Sequence, residues 1–158
     1  MIPNHTLLFQ DNLGYIDKTK TAVWGWSYGG YLSLMTLAKD KNEIFQCGAS
    51  VAPVADWTLY DTYYTERYMG SLEENKSGYD STNVLSWIYR MKGSLLLMHG
   101  SNDDNVHLQH TSKFVNLALS LGKDVEWYNY PNKNHGIYGG GSRKHLYQKM
   151  IDYFNRNL

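Results

Sequence analysis

Short apolar runs alternate with amphipathic stretches along most of the chain. The run at residues 94–98 (SLLLM) is apolar throughout, as in a parallel strand that is covered on both faces. Helical spacing of apolar side chains follows several of these runs, and Gly122 suits a helix cap. The predicted strands are residues 21–26, 47–52, 94–98 and 125–130, and the predicted helices are residues 31–39, 111–121 and 143–155. This alternation predicts an α/β fold with a mostly parallel sheet flanked by helices.

A long excursion between the second and third predicted strands, residues 54–93, is dense in aromatic side chains. Four of them step by three, four and four residues, which lines one face of a helix. They are Trp57, Tyr60, Tyr64 and Tyr68. Spacing alone favours an amphipathic core helix, because aromatic stripes most often serve packing. The pattern by itself does not establish a binding pocket.

Composition narrows the class of protein. The 158 residues suit one domain, and Lys plus Arg balance Asp plus Glu at 15 each, so no net field favours nucleic acid. No run approaches the ~20 apolar residues of a membrane helix, and the N-terminus lacks a signal pattern. Cys47 is the one cysteine, which excludes an internal disulfide and a cysteine-based zinc site.

The sequence Gly25-Trp-Ser27-Tyr-Gly29 matches G-x-S-x-G, with a predicted strand before it and a helix after it. The glycines are expected to allow a tight, strained turn that exposes the serine hydroxyl. Such a turn places the Tyr28 backbone N–H at a helix N-terminus, where it can stabilise an oxyanion. Ser27 is therefore the candidate nucleophile.

A serine hydroxyl needs a base, and the base needs an orienting carboxylate. In folds with this motif the chain order is Ser, then the acid, then His, each in a loop after a strand. Asp103 and Asp104 follow the third predicted strand, and His135 lies between the fourth strand and the last helix. Spacing cannot choose between the two aspartates.

Five other histidines compete with His135 for the role of base: His5, His99, His107, His110 and His145. None has the loop placement with a following glycine that His135 has, and His99 suits a structural hydrogen bond at a strand end. His107 and His110 are spaced for a metal pair, but no further ligand cluster accompanies them. We expect no metal and no cofactor.

Four segments together resemble the prolyl oligopeptidase family, specifically its dipeptidyl peptidase IV branch. They are GWSYGGY at 25–31, APVADWTLYDTYYTERYMG at 52–70, HGSNDDNVH at 99–107 and NHGI at 134–137. The resemblance runs from about Gly14 to the end and implies an α/β-hydrolase fold. It implies that Asp103, rather than Asp104, is the catalytic acid and that Asn105 binds the peptide backbone of the substrate.

The same resemblance changes the interpretation of the aromatic stripe. It implies that Tyr60 and Tyr64 wall a proline pocket, completed by an apolar set. That set is Tyr28, Val54, Trp57 and Val106. The implied reaction is acyl transfer on peptides with proline at the second position. A non-catalytic interaction homologue and a general esterase of the same fold are the alternatives.

Family members are longer than this chain. The resemblance implies that residues 1–158 are the C-terminal portion of the catalytic domain, with the first strands of the sheet, a β-propeller and a second oxyanion donor upstream. The resemblance implies that dipeptide-cutting specificity depends on the propeller, and it fits an extracellular protein or one anchored in a membrane through upstream sequence. Loss of upstream strands would expose the strand before Ser27 as a sheet edge, so self-association is expected.

Overall fold

The computed structural model describes residues 12–158, so His5 lies outside the described residues. Four parallel strands form one sheet, and their order in the sheet is their order in the chain. The strands are β1 (Ala22–Trp26), β2 (Cys47–Val51), β3 (Ser94–Gly100) and β4 (Glu126–Tyr130). Their bounds differ from the predicted strands by no more than two residues at either end. The prediction of a parallel α/β sheet is confirmed.

Helices connect the strands and cover both faces of the sheet. The α-helices are α1 (Tyr28–Ala38), α2 (Thr62–Met69), α3 (Lys76–Thr82), α4 (Gln109–Ser120) and α5 (Ser142–Asn157). Two 3₁₀ helices, Trp57–Leu59 and Val84–Arg90, lie between β2 and β3. Beyond α4, Gly122 has a φ of 67°, the left-handed conformation expected of a helix cap. No helix formed by residues 12–158 combines the length and the apolar character needed to cross a membrane.

Strand β3 shows why the sheet is buried on both faces. Alternate side chains of a strand point to opposite faces. Leu95 and Leu97 belong to the apolar cluster that contains α1 and α4 side chains, whereas Leu96 and Met98 belong to the cluster that contains α5 side chains. The continuous apolar run therefore supplies two cores at once.

Strand β1 is less buried than its apolar sequence predicts. It pairs with β2 alone among the described strands and so forms one edge of the sheet that residues 12–158 build. Trp24 is 49% exposed, and its ring meets the edge of the Tyr147 ring on α5 at 6.4 Å between centroids. The expected edge position of this strand agrees with the described sheet.

The aromatic stripe is not one helix, which corrects the sequence interpretation. Trp57 lies in a 3₁₀ helix capped by Asp56, and Tyr60 is in extended conformation. Asp61 then caps α2 through a 2.8 Å hydrogen bond from Tyr64 N to its Oδ1. Aspartate side chains in this position accept from backbone N–H groups and so start a new helix. Two capped helices and the extended Tyr60 between them therefore carry the stripe.

Candidate active site

Ser27 lies at the junction of β1 and α1, in the sharp turn that its motif predicts. Its φ is 58° and its ψ is −119°, a conformation that costs a non-glycine residue ~1–3 kcal/mol. Two backbone hydrogen bonds hold the turn, from Ser27 N to Val51 O at 2.8 Å and from Tyr31 N to Ser27 O at 3.0 Å. The strain is therefore sustained by both the sheet and the helix.

The glycines around Ser27 have different roles. A Cβ at Gly25 would lie 2.2 Å from the Gly29 carbonyl oxygen, and one at Gly30 would lie 2.9 Å from the Val51 oxygen. A Cβ at Gly29 would meet open space. The close approach thus requires glycine at 25 and 30, but not at 29, the second glycine of the motif. Gly30 lies outside that motif.

Asp103 is held in the loop after β3 by donors on both carboxylate oxygens. Its Oδ1 accepts from the backbone N–H groups of Asn105 and Val106, at 3.0 and 2.9 Å. Its Oδ2 lies 2.7 Å from His135 Nδ1 and 3.2 Å from His99 Nε2. Burial opposes the charge, but the hydrogen bonds from His135 and His99 outweigh it and hold the pKa of Asp103 well below its usual range. The carboxylate is therefore ionised.

Asp104, the alternative acid, is exposed, whereas Asp103 is 5% exposed. The carboxylate that meets His135 in the structure is that of Asp103.

His135 is oriented by its contact with Asp103. Because the ionised carboxylate carries no proton, His135 Nδ1 must be the donor in the 2.7 Å hydrogen bond. In the neutral ring, Nε2 is then the unprotonated nitrogen, as a general base requires. No hydrogen bond joins His135 to the Ser27 hydroxyl in the part of the chain that the structure describes. Contacts of this kind often tighten only when substrate binds, so this contact stays a prediction.

The loop that carries His135 is fixed to the Ser27 turn and to α5. Trp26 Nε1 donates to the His135 carbonyl oxygen at 3.0 Å, and Arg143 Nε donates to the Gly136 carbonyl at 2.9 Å. The Arg143 guanidinium also lies over the Trp26 ring, 5.3 Å from its centroid. The base is thus tied to the residue directly before the candidate nucleophile.

Largely aromatic side chains, among them Tyr28, line a cavity of about 440 Å³. Tyr28, the residue after Ser27, is half exposed, and its ring lies 5.9 Å from the Trp57 ring. Trp57 in turn stacks on Tyr64 at 6.1 Å, with an interplanar angle of 17°. The lining residues are Tyr28, Tyr31, Trp57, Tyr64, Thr65, Tyr68, Met69 and Thr82.

Three of the six predicted pocket residues line this cavity, and the other three do not. Tyr60 packs edge-on against Tyr64 at 5.4 Å and lines a neighbouring depression with Asn105. Val54 and Val106 are buried in the same apolar cluster as Trp57. The part of these two valines in a proline pocket stays a prediction.

Asn105 has a defined orientation because of Tyr60. The Tyr60 hydroxyl lies 2.7 Å from Asn105 Oδ1 and donates to it. With its oxygen engaged, the amide has its N–H donors left for another acceptor. The family resemblance implied a place for both residues in the substrate site, but no sequence pattern indicated this bond.

Several residues of the cavity were missed from the sequence. Tyr68 belonged to the noted stripe, and Tyr31 lies three residues after Tyr28, on the same side of α1. Helical spacing could have indicated both. Thr65, Met69 and Thr82 carry no such signal, because their place in the lining depends on how α2 and α3 pack.

Among the described residues, His107, His110 and Cys47 make no hydrogen bond to Ser27, Asp103 or His135. His110 is buried and accepts from Ala55 N at 3.1 Å, while His107 is exposed. Residues 12–158 contain no group of three or more His, Cys, Asp or Glu side chains arranged to hold a metal ion. Cys47 is buried and free, and burial raises the pKa of its thiol.

Comparisons with known proteins agree with this architecture. The chain is 43% identical to the probable dipeptidyl-aminopeptidase B of Arthroderma gypseum over 141 residues, which cover 88% of this chain and 15% of that protein. It is 42% identical to the protein of the same name in Aspergillus oryzae, over 88% of this chain and 16% of that protein. The chain therefore spans about one sixth of the length of these curated relatives.

Solved structures give the same result. The crystal structure of Porphyromonas gingivalis dipeptidyl peptidase 4 matches 99% of this chain with a TM-score of 0.92 and 41% identity, over 22% of its own chain. A putative dipeptidyl aminopeptidase IV from Bacteroides ovatus matches 98% of this chain with a TM-score of 0.91 and 34% identity, again over 22% of its own chain. The α/β-hydrolase fold is thereby confirmed.

The sequence profile described as the prolyl oligopeptidase family matches residues 6–158, which is nearly the whole chain. With this match and the relatives above, the chain belongs to the prolyl oligopeptidase family of peptidases.

Proposed function

We propose that the chain carries the catalytic centre of a serine peptidase, with Ser27 as nucleophile, His135 as base and Asp103 as acid. The observation that carries the proposal is the 2.7 Å contact between Asp103 Oδ2 and His135 Nδ1, in a loop tied by Trp26 to the Ser27 turn. The acid leaves the second ring nitrogen of His135 unprotonated. The strained turn presents the serine between β1 and α1.

The reaction would proceed in two acyl-transfer steps. Ser27 Oγ attacks the scissile carbonyl carbon while His135 Nε2 takes its proton, and the leaving amine then receives that proton as the C–N bond breaks. Water attacks the resulting ester, gives a proton to His135, and Ser27 is released with its proton restored. Asp103 stays ionised throughout and stabilises the imidazolium.

The Tyr28 backbone N–H supports the charged intermediate. It is the first N–H of α1, and the first N–H groups of a helix lack intrahelical partners. The positive end of the helix dipole lies at the same place. One such donor contributes about 10²–10³ in rate in other serine hydrolases.

The proposed substrates are peptides with proline at the second position. The walls of Tyr28, Trp57 and Tyr64 suit a flat, compact pyrrolidine ring that has no N–H to satisfy. Asn105, oriented by Tyr60, would donate its amide N–H to a carbonyl of the substrate backbone. The names of the relatives, dipeptidyl-aminopeptidase B and dipeptidyl peptidase 4, support removal of dipeptides.

The chain would form the C-terminal portion of such a catalytic domain. The small share of the relatives' length that it spans supports this. Recognition of the substrate amino terminus and a second oxyanion donor would then come from upstream segments.

The test uses a fluorophosphonate probe, because labelling needs an activated serine but no peptide-binding segments. We expect stoichiometric labelling of Ser27, located by mass spectrometry, and none in Ser27→Ala. Ser81→Ala, which alters an exposed serine remote in sequence from the motif, is the matched control and should label normally.

Comparative turnover separates the proposal from its alternatives. A labelled chain that hydrolyses a Gly-Pro anilide in preference to simple esters supports the post-proline peptidase. Preference for esters would indicate a general esterase. Absence of labelling in the folded chain would indicate a non-catalytic homologue and overturn the proposal.

A further inference from the structure

A second histidine lies behind the Asp103 carboxylate. His99 is the penultimate residue of β3 and is fully buried. Its Nδ1 lies 2.7 Å from Thr111 Oγ1 on α4, and its Nε2 lies 2.8 Å from the Val106 carbonyl oxygen. The same Nε2 lies 3.2 Å from Asp103 Oδ2. The ring thus bridges a helix and the loop of the candidate acid.

The contacts fix which nitrogen of His99 carries the proton. Val106 O and the ionised Asp103 carboxylate are both pure acceptors, so Nε2 must be protonated. Thr111 is fully buried, so its hydroxyl needs a hydrogen-bond acceptor inside the protein. Among the described residues, the acceptor within reach is His99 Nδ1. Thr111 therefore donates to Nδ1, and His99 is the neutral Nε2–H tautomer.

His99 acts on Asp103 along two routes. Directly, the positive end of its N–H bond lies beside Oδ2, the oxygen that also accepts from His135. Indirectly, it holds the carbonyl of Val106, whose own N–H donates to Asp103 Oδ1 at 2.9 Å. The carboxylate thus accepts three hydrogen bonds, from Asn105 N–H, Val106 N–H and His135 Nδ1, and the His99 Nε2 contact at 3.2 Å lies beside the third.

We propose that His99 is a positioning residue that fixes the Asp103 carboxylate and thereby limits the basicity of His135. The proposal rests on the function proposed above, in which Asp103 orients the base. Loss of the His99 N–H would leave Oδ2 to His135 alone, and the carboxylate would attract the imidazolium more strongly. The pKa of His135 would rise, and a larger share of the base would be protonated near neutral pH.

Other charged and titratable groups near this cluster do not offset the effect. Tyr60 feels the Asp103 charge, and burial chiefly raises the pKa of its hydroxyl, so it is neutral at these pH values. His110 faces His99 from α4 and is neutral above pH 4, because burial lowers its pKa to about 4. Asp56 acts on His110, and its carboxylate accepts hydrogen bonds from the backbone N–H and the hydroxyl of Thr58.

The test compares His99→Leu, which removes the donor, with His99→Gln, whose side-chain amide can place an N–H where Nε2 lies. The ¹⁵N-labelled 158-residue chain is titrated by NMR, and the pKa of His135 is read from its ring nitrogens. We expect an upward shift in His99→Leu and a value near that of the wild type in His99→Gln. The rate of fluorophosphonate labelling at pH 7 should fall between about tenfold and a hundredfold in His99→Leu, since small misplacements of catalytic groups have costs of this size.

A second donor-free variant covers the case in which His99→Leu does not fold. His99→Phe keeps an aromatic ring in the buried site but has no N–H to place beside Asp103 Oδ2. We expect the same upward shift of the His135 pKa as in His99→Leu. An unchanged His135 pKa in a folded donor-free variant would overturn the proposal.

The NMR readout separates this inference from the proposed function. If the wild-type chain fails to label, the peptidase proposal fails, but the shift in His135 still decides whether His99 sets its basicity. If the wild type labels and the shift is missing, the peptidase proposal stands and His99 has a packing role only.

Discussion

The indole N–H of Trp26 donates to the backbone carbonyl of His135 at 3.0 Å, across 109 residues of sequence. The bond joins the last residue of β1 to the loop between β4 and α5. Since Ser27 follows Trp26 directly, this bond helps to set the separation of the proposed nucleophile and the proposed base without involving the side chain of either. It is a positioning contact that G-x-S-x-G alone does not predict.

Trp26→Phe tests this contact. The ring is kept and the donor is lost, so the His135 loop is held less firmly. A hydrogen bond of this type contributes about 1 kcal/mol, and we expect labelling by a fluorophosphonate to slow about fivefold. Trp24→Phe, two residues earlier on the exposed edge, is the control. Equal rates in the two variants would show that the Trp26 bond does not position the base.

The acid assignment predicts unequal effects of two neighbouring substitutions. Asn has nearly the same shape as Asp, so Asp103→Asn should keep the loop but remove the charge. The amide can also favour the His135 tautomer that carries its proton on Nε2, which cannot act as a base. Fluorophosphonate labelling should therefore fall by about 10⁴. Asp104→Asn changes an exposed side chain and should leave the rate within about twofold, because surface substitutions have small effects. A larger loss in the Asp104 variant would reverse the assignment. Circular dichroism of both variants checks folding.

Tyr60→Phe separates substrate binding from nucleophile activation. The phenyl ring still packs on Tyr64, but Asn105 loses the donor that orients its amide. We expect kcat/KM for a Gly-Pro substrate to fall about fivefold, the equivalent of one hydrogen bond, and fluorophosphonate labelling to stay unchanged. Tyr63→Phe, at a residue that is 85% exposed, should alter neither quantity. A parallel fall in labelling would place Tyr60 in serine activation instead.

His110 predicts a loss of stability in mild acid. Burial, with a smaller effect of His99, lowers its pKa from 6.5 to about 4, so the unfolded chain binds a proton that the folded chain does not. Stability therefore falls as the pH drops from 6.5 towards 4, by at most about 3 kcal/mol. His110→Asn can keep an acceptor for Ala55 N–H without titrating, and its urea midpoint should depend less on pH in this window. The exposed His107→Asn serves as control and should retain the wild-type slope.

The exposed edge of β1 predicts self-association of the purified chain. Unpaired strand edges recruit other strands, and Trp24 adds exposed apolar surface beside this edge. Light scattering should give a mass above that of a monomer, and Trp24→Lys should lower it, because charged edge residues oppose pairing. We also expect turnover of Gly-Pro substrates to lie far below that of a full-length relative. A monomeric chain with comparable turnover would contradict both expectations.

Sequence predicted most where local pattern and chain order carry the information. The apolar run at residues 94–98 predicts a strand that is buried on both faces, and the apolar clusters on the two faces of the sheet confirm it. The chain order of Ser27, the aspartate pair and His135 predicted that each lies in a loop after a strand, and the structure has them after β1, β3 and β4. Where two adjacent residues share every local property, as Asp103 and Asp104 do, spacing could not choose, and only the family resemblance indicated Asp103.

The parts that were missed depend on capping and on contacts distant in sequence. Asp56 and Asp61 interrupt the aromatic stripe because their side chains accept backbone N–H groups, a competition that apolar periodicity ignores. Position 30 on α1 has no space for a side chain because the Val51 carbonyl of β2 lies too close. A structural hydrogen bond was predicted for His99. Its contact with the Asp103 carboxylate was not predicted, because it depends on how α4 packs against the loop after β3.

The strand order β1-β2-β3-β4 has a consequence for biosynthesis. A ribosome releases the strands in the order in which they pair, so each new strand can add to a template already made, and domains commonly fold in this vectorial way. Ser27 emerges directly after β1, whereas His135 emerges only after β4. A nascent chain would therefore hold Ser27 without its proposed base until all four strands have been translated, and the order of synthesis would keep the proposed nucleophile inactive until then.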